Sequence, residues 1–172
     1  MPNGANTVEF AQRLFRKLNP DYTLFYDHGD REDENVCACK AVIGDTLSNK
    51  TRIADIDIAI LKEAEVVYLI EIEESGTLSP KKLFGDFLTF QMLDSIFIEK
   101  VKYNITEKTK YIIGGLINPK GNSQKKINNI KEKLKGKIQN PRVVNIFTDE
   151  KIDEVFNFIV DLINKEKILK KY

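Results

Sequence analysis

Two apolar segments in the middle of the chain constrain its fold most, because they are adjacent and both have the composition of strands. Arg52 to Leu61 and Glu65 to Glu74 are rich in isoleucine and valine, which favour extended structure. Only Lys62-Glu63-Ala64 separates them. This short connection between two strand-like segments predicts an antiparallel hairpin.

Each of these segments carries two acidic residues at alternate positions. Side chains two residues apart lie on one face of a strand, so Asp55 is expected beside Asp57, and Glu71 beside Glu73. Pairing of the strands would bring up to four carboxylates together, where they repel one another and resist desolvation. A hard cation bound by oxygen ligands relieves that repulsion, which predicts a site for Mg²⁺ or Mn²⁺. The alternative is a solvated face of an antiparallel sheet.

The remaining apolar patterns predict helices and strands that alternate along the chain. The predicted helices run from about Thr7 to Leu18 with Asn6 and Glu9 as a capping box, from Ser79-Pro80 through Leu83 and Phe97 to Val101, from Ser123 to Leu134, and from Asp149 to Lys170. The predicted strands are Val36 to Ile43, Tyr111 to Ile117 and Arg142 to Phe147, with Tyr22 to Tyr26 as a further extended candidate. This order indicates one α/β domain over residues 1–172, antiparallel at first and then extended by parallel strands through right-handed crossovers.

Composition and charge narrow the class of protein. Hydrophobic residues make up 42% of the chain and charged residues 31%, an ordinary globular balance. No apolar stretch approaches the roughly 20 residues of a membrane helix, and the first residues do not resemble a signal peptide. We therefore expect a soluble, cytoplasmic protein with no membrane partner.

The net charge of +1 hides a lysine-rich region. Between Lys100 and Lys137 there are 11 lysines, against only Glu107 and Glu132. Such a region suits contact with a phosphate backbone, and it equally suits the solvated side of helices. Both interpretations stay open.

Cysteine and histidine argue against several other chemistries. Cys37 and Cys39 with nearby His28 lack a fourth zinc ligand, so two reduced cysteines in a strand are the favoured interpretation. With His28 as the only histidine, histidine-based triads and zinc proteases are disfavoured. The chain also lacks a dinucleotide-binding glycine motif, a Walker A loop and a nucleophile elbow.

The acidic hairpin resembles the signature of the PD-(D/E)XK nuclease superfamily. Ala54 to Ile60, followed by Ile70 to Glu73, places Asp57 at the first acid, Glu71 at the second, and Glu73 where that superfamily usually has lysine. Ile56 stands at its proline position. The superfamily's order of helix, three strands, helix and strand is matched from about Thr7 to Ile117.

The resemblance implies a restriction endonuclease-like αβββαβ core with additional C-terminal α-β-α elements in a mixed sheet flanked by helices. It implies a metal-dependent nuclease that hydrolyses phosphodiester bonds, most plausibly in DNA, in restriction, repair or junction processing. Asp57, Glu71, Glu73 and the carbonyl of Ile72 would hold Mg²⁺ or Mn²⁺. Glu73 would act as a ligand or general base.

Other residues are candidates for accessory roles in that site. The resemblance suggests Lys81 as the relocated catalytic lysine and Gln91 and Lys82 as substrate contacts. The alternative for Lys81 is an exposed surface position, and the alternative for Gln91 is a polar residue at the helix boundary. Asp55 and a first-helix glutamate, Glu9, are possible accessory acids, although a capping role accounts for Glu9 by itself. Possible partners are nucleic acid and a second copy of the chain in a homodimer.

Two rival functions remain at this stage. A catalytically inactive PD-(D/E)XK-like module would bind nucleic acid or a protein partner, and its binding would not depend on the acids. A ligand-binding α/β protein would use the acids to recognise a cationic or metal ligand.

Overall fold

Helices and strands alternate along the part of the chain that the computed structural model describes, residues 4–18, 20–29, 32–77, 79–116, 123–135 and 142–169. The helices are α1 (Ala5–Phe15), α2 (Pro80–Met92), α3 (Ser123–Lys135) and α4 (Ile152–Leu169). The strands are β1 (Tyr22–Tyr26), β2 (Cys39–Val42), β3 (Arg52–Ile56), β4 (Ile58–Lys62), β5 (Glu65–Thr77), β6 (Ser95–Ile98), β7 (Val101–Asn104), β8 (Lys110–Leu116) and β9 (Val144–Asp149).

These strands form two sheets. The five-stranded sheet has the order β1-β4-β5-β8-β9 and is mixed: β1, β4 and β5 pair antiparallel, and β8 and β9 are added parallel. The four-stranded sheet has the order β3-β2-β6-β7 and is antiparallel throughout. The predicted α/β class, the β4–β5 hairpin and the change from antiparallel to parallel pairing are thereby confirmed.

The central strands of the five-stranded sheet are apolar at successive positions, and both faces of the sheet are covered. Residues such as Ile70 and Ile112 belong to the core shared with α1 and α4. Their neighbours Leu69 and Ile113 belong to the core on the opposite face, shared with α2 and the four-stranded sheet. The side of β5 that faces α2 is therefore the side on which its alternate acidic residues lie.

The segment predicted as one strand, Arg52 to Leu61, is two strands in two different sheets. β3 ends at Ile56, β4 begins at Ile58, and Asp57 forms the bend between them. Both parts are extended and apolar at alternate positions, so the residue pattern carries no sign of the break. The prediction of a single strand is wrong, and Asp55 and Asp57 do not share a strand.

α2 is shorter than the apolar pattern predicted. It ends at Met92, because Leu93 adopts an extended conformation with φ −72° and ψ 138°. The next residues form β6, in which Ile96 and Ile98 are buried at strand spacing. The prediction of a helix continuing to Val101 is wrong. The apolar residues of this segment fit the spacing of a helix as well as that of a strand, so their pattern does not show where the helix ends.

α1 begins and ends earlier than predicted. Its N-cap is Gly4, which has a φ of 86° and no side chain with which to cap the helix. Asn6 and Glu9 therefore lie inside the helix, and the predicted capping box is wrong. Glu9 instead forms an ion pair with Arg13, one turn further along the helix.

The other predicted elements are present with changed bounds. β1 is confirmed as a strand, the strand expected from Val36 to Ile43 is shortened to β2, and β8, α3, β9 and α4 occupy the expected segments. Ile117 and Lys170, the predicted ends of a strand and of the last helix, lie outside the described residues. Within those residues no helix has the length and apolar character needed to cross a membrane.

Candidate functional site: an acidic pocket at the joint of the two sheets

Asp57 is positioned by the bend between the two sheets. Its backbone carbonyl accepts a hydrogen bond from the N–H of Asp27, which follows β1. Its carboxylate Oδ2 accepts a 2.6 Å hydrogen bond from the N–H of Ile72 on β5. The last paired residues of β4 and β5 are Ile58 and Ile70. Asp57 therefore lies one position beyond the ladder, beside Glu71.

Glu71 and Glu73 alternate with a core residue on β5. Ile72, between them, is 3% exposed and packs in the core shared with α1 and α4. Because side chains alternate across a strand, the two glutamates lie on the opposite face, toward α2. Glu71 is partly buried and the side chain of Glu73 is only 3% exposed.

The first turns of α2 bring a lysine and a fourth acid to these carboxylates. Ser79 caps the helix by accepting a 3.2 Å hydrogen bond from the N–H of Lys82, and Pro80 occupies the first helical position, as predicted. The Lys82 Nζ forms an ion pair with the Glu73 Oε1. Asp86 lies four residues after Lys82 and so on the same face of the helix.

These residues line one pocket of about 300 Å³, which we call the acidic pocket. Its wall consists of Gly4, His28, Asp57, Glu71, Ile72, Glu73, Lys82 and Asp86. Four carboxylates from β5, α2 and the β3–β4 bend thus face one space, together with one lysine. The predicted convergence of Asp57, Glu71 and Glu73 is found in the structure.

The charges in the acidic pocket act on one another. Burial raises the pKa of the Glu71 carboxyl well above its usual range, and the nearby charges of Asp57 and Asp86 raise it further. Burial also raises the pKa of Asp86 to about 6, with added contributions from Glu73 and Asp57, while Lys82 acts in the opposite direction. Burial and mutual repulsion therefore favour the protonated forms of Glu71 and Asp86, and a cation would be an alternative way of compensating the negative charge.

The donor set of the acidic pocket fits a hard divalent cation. Carboxylates and a backbone carbonyl are the ligands that Mg²⁺ and Mn²⁺ prefer, and a pair of carboxylates supplemented by water is sufficient for either ion. The raised pKa values of Glu71 and Asp86 are also consistent with a cation site, because these carboxyls are held close together without enough positive charge to balance them. Within the described ranges, no three His, Cys, Asp or Glu side chains are already arranged in metal-coordinating geometry.

Two of the predicted accessory acids lie elsewhere. Asp55 is on β3, where its carboxylate forms an ion pair with Arg52, and its Oδ1 is buried without a hydrogen-bond partner in the described part of the chain. Glu9 is exposed on α1 and pairs with Arg13. Neither residue lines the acidic pocket.

The two lysines of α2 are arranged opposite to the expectation. Lys82 lies in the acidic pocket, whereas Lys81 is exposed and outside it. Gln91, predicted as a substrate contact, also lies outside the acidic pocket. Gln91 instead uses both ends of its amide on the backbone of Arg142: its Nε2 donates to the carbonyl (2.9 Å), and its Oε1 accepts from the N–H (2.7 Å).

Two residues of the pocket were not foreseen. Asp86 was overlooked, although its spacing of four from Lys82 on a helix was available from the sequence. His28 lies in the loop after β1, and no sequence signal indicates that this loop folds onto the start of α1. A Cβ on Gly4 would lie only 2.1 Å from the Cβ of His28, so this close approach requires glycine.

The cysteines do not contribute to the acidic pocket. Cys37 and Cys39 are free thiols, and burial raises the pKa of both. His28, which would be the third zinc ligand beside these cysteines, lines the acidic pocket instead.

Comparison with family models, curated proteins and solved structures finds no match to this chain. The resemblance to the PD-(D/E)XK superfamily therefore stays a prediction from the residues, and the function is argued from the acidic pocket.

Proposed function

We propose that this protein is a divalent-metal-dependent nuclease that hydrolyses phosphodiester bonds, with DNA as its substrate. The observation that carries the proposal is the convergence of Asp57, Glu71 and Glu73 in one pocket with Lys82. Three carboxylates supply the charge that binds a metal, and a lysine supplies a cation for a phosphate. The restriction endonuclease-like core, its C-terminal additions and the assignment to that superfamily are part of this proposal.

Asp57 and Glu71 are the primary ligands for Mg²⁺ or Mn²⁺ in this proposal, with Glu73 and the Ile72 carbonyl completing the set. When bound, the ion would supply Lewis-acid activation of the phosphate and would acidify a water molecule. Glu73 would accept a proton from the attacking water as its oxygen forms a bond to phosphorus and the bond to the leaving oxygen breaks. Lys82 would stabilise the negative charge that develops on the phosphate.

A polyanionic substrate agrees with the surface near α2. α3 packs against α2, the helix that contributes Lys82 and Asp86, and it exposes Lys125, Lys126 and Lys133. Exposed lysines attract a phosphate backbone and contribute salt-dependent affinity without sequence specificity.

The first experiment is a calorimetric titration of Mn²⁺ into the wild-type protein and into Glu71→Gln. We expect wild type to bind in the micromolar-to-millimolar range and Glu71→Gln to bind more than about tenfold more weakly. Asp55→Asn is the matched control, since Asp55 is an acidic residue outside the acidic pocket, and it should bind as wild type does. Cleavage of linear, branched and single-stranded DNA with Mg²⁺ or Mn²⁺ then tests activity.

The titration contradicts the proposal if wild type fails to bind Mn²⁺ even with DNA present, or if Asp55→Asn loses as much affinity as Glu71→Gln. Cleavage that persists undiminished in Glu71→Gln would show that any observed activity belongs to another site or to a contaminant.

The second candidate is a catalytically inactive module that binds nucleic acid. The observation that favours it is the ion pair with Lys82, because this contact compensates the buried Glu73 carboxylate without a metal. An inactive module would bind DNA with equal affinity in wild type and in Glu71→Gln, with no added Mn²⁺. Metal-dependent cleavage by wild type excludes this candidate.

A further inference from the structure

A second and larger cavity lies away from the acidic pocket, where β8 and β9 begin. It has a volume of about 570 Å³, within the usual range of about 300 to 1,000 Å³ for small-molecule sites. Its wall is formed by Ile105, Thr106, Glu107, Thr109, Lys110, Tyr111, Arg142, Val143 and Asn145. We call it the Tyr111 cavity.

The wall of the Tyr111 cavity contains an unsatisfied polar group. Tyr111 is 2% exposed, and its hydroxyl is buried with no acceptor for its proton among the described residues. Burial raises the pKa of this hydroxyl to about 12, although the nearby Arg142 side chain acts to lower it, so the hydroxyl is a neutral donor at physiological pH. Because a guanidinium can only donate, Arg142 leaves the hydroxyl proton without an acceptor. An unpaired buried hydroxyl destabilises the fold, so such groups in native proteins call for a partner.

Arg142 places a fixed positive charge in the same wall. Its guanidinium carbon lies 5.7 Å from the centre of the Tyr111 ring. Its Nη1 donates to the carbonyls of Phe90 (3.0 Å) and Leu93 at the end of α2. These bonds use one nitrogen of the fork and hold the guanidinium in place, while Nε and Nη2 take no part in them.

The character of the remaining wall indicates the kind of ligand. Arg142 places its positive charge on the face of β8 that carries Tyr111, whereas the Lys110 ammonium lies on the other face, 6.0 Å from the centre of the Tyr68 ring. Thr106 adds a polar group, Glu107 a negative charge, and Ile105 and Val143 add apolar surface. An anionic group is favoured by the fixed charge of Arg142 beside the donor hydroxyl of Tyr111, and an organic body is favoured by the volume and the apolar part of the wall.

We propose that the Tyr111 cavity binds a small organic anion, a molecule that carries a carboxylate or a phosphate on an apolar or aromatic body. The anionic group pairs with Arg142 and supplies an acceptor to the hydroxyl of Tyr111. The body of the ligand covers Ile105 and Val143.

This site is separate from the acidic pocket. The two have no lining residue in common, and they lie toward opposite ends of α2: Lys82 and Asp86 are in its first turns, while the carbonyls bound by Arg142 are at its end. The charge preference is also opposite, since the acidic pocket suits cations. Binding of an anion to the Tyr111 cavity therefore does not depend on the proposed nuclease activity.

The test is a calorimetric and thermal-shift titration with AMP and citrate as probes, in metal-free buffer. Adenosine serves as the uncharged counterpart of AMP. We expect AMP or citrate to bind, with a rise in Tm of about 3 to 6 °C at tenfold excess over Kd. Adenosine is expected to bind at least about tenfold more weakly than AMP.

Three variants locate the binding. Tyr111→Phe should weaken the anion about fivefold to tenfold while the protein remains folded, because the substitution removes only the unpaired hydroxyl. Val143→Trp should obstruct the cavity and abolish binding. Val101→Trp is its matched control, since Val101 is also an exposed valine but lies on β7, and it should bind as wild type does.

Asp57→Asn separates the two sites and should leave anion binding unchanged. The proposal is overturned if neither AMP nor citrate binds to wild type, if adenosine binds as tightly as AMP, or if Tyr111→Phe and Val143→Trp both retain full affinity. Loss of anion binding in Asp57→Asn would assign it to the acidic pocket and would also overturn the proposal.

Discussion

Asp86 connects the acidic pocket to the stability of the fold. Its carboxyl has a pKa of about 6, raised first by burial and then by the charges of Glu73 and Asp57. An acid with a higher pKa in the folded than in the unfolded chain binds more protons when folded. The protein therefore loses stability as the pH rises from about 4, the ordinary pKa of aspartate, through about 6.

We expect Asp86→Asn to be more stable than wild type at pH 7, by about 1 to 3 kcal/mol, because the variant has no carboxyl to ionise. Below about pH 4 the advantage should vanish, since Asp86 is then protonated in both folded and unfolded wild type. Urea unfolding in metal-free buffer at pH 3.5, 5 and 7 measures the difference. A difference that does not change with pH would contradict the assignment of the raised pKa to Asp86.

The adjacent lysines of α2 provide a matched pair for the catalytic part of the proposal. Lys82→Ala should lower the cleavage rate about 100-fold, because the cation that faces the phosphate is lost. The same substitution should strengthen Mn²⁺ binding about fivefold, since Lys82 competes with a metal for Glu73. Lys81→Ala should change neither quantity by much.

Cleavage assays and Mn²⁺ titrations of both lysine variants provide the measurement. Equal loss of cleavage in Lys81→Ala and Lys82→Ala would indicate a general effect of positive charge on substrate binding. That result would remove Lys82 from the catalytic assignment.

At the level of elements, the two ends of α2 are fixed in different ways. Ser79 caps the start of the helix through its hydroxyl. Gln91 and Arg142 connect its end to the segment that enters β9. The position of Lys82 and Asp86 in the acidic pocket therefore depends on contacts at both ends of the helix.

We expect Gln91→Ala to lower the free energy of unfolding by about 1 to 3 kcal/mol, because two hydrogen bonds to the backbone of Arg142 are lost at a partly buried position. Its affinity for Mn²⁺ should stay within about twofold of wild type, because Gln91 lies at the far end of α2, about 14 Å along the helix from Lys82. Chemical denaturation and calorimetry test the two statements. A variant with wild-type stability and impaired DNA binding would instead support the substrate contact predicted from the sequence.

Local residue patterns allowed most elements to be predicted, but several boundaries depend on contacts distant in sequence. β6 forms because Ser95 to Ile98 pairs with β2, which precedes it by more than 50 residues. The isolated pattern of Phe90, Leu93 and Phe97 fits a helix equally well. The bend at Asp57 is hidden for the same reason, since only the partners of β3 and β4 show that they belong to different sheets.

The candidate site was predictable where strand alternation determines it. Glu71 and Glu73 share a face by that alternation, and Asp57 joins them through the hairpin. The contributions of α2 were less accessible. Choosing Lys82 over Lys81 requires the rotation of the helix about its axis, which is set by the packing of Leu83, Phe87 and Phe90 in the core.

At the scale of the whole molecule, helices from the two ends of the chain cover one face of the five-stranded sheet. α1 and α4 contact each other there, and the rings of Phe10 and Phe156 stack with centroids 4.6 Å apart. Both side chains are at most 1% exposed. This contact closes the fold by joining segments that are nearly 150 residues apart in sequence.

We expect Phe156→Ala to lower the free energy of unfolding by about 3 to 5 kcal/mol, because the substitution leaves a cavity in a fully buried aromatic pair. Phe158→Ala is the matched control on the same helix, and it should cost less than about 1.5 kcal/mol, since Phe158 is 44% exposed. Equilibrium denaturation of both variants gives the comparison. A smaller loss for Phe156 than for Phe158 would contradict the packing described for α1 and α4.

The bend at Asp57 also limits how the chain can vary in length. β3 and β4 follow each other with one residue between them, so a single inserted residue before Asp57 would shift Asp57 out of reach of the Ile72 N–H, or reverse the inward and outward sides of β4. The nearby turn at Glu63 and Ala64 is less restricted, because it is exposed and joins two strands that pair directly with each other. A one-residue insertion should therefore give a folded protein at the hairpin turn and not at the bend, although the two positions are only about six residues apart.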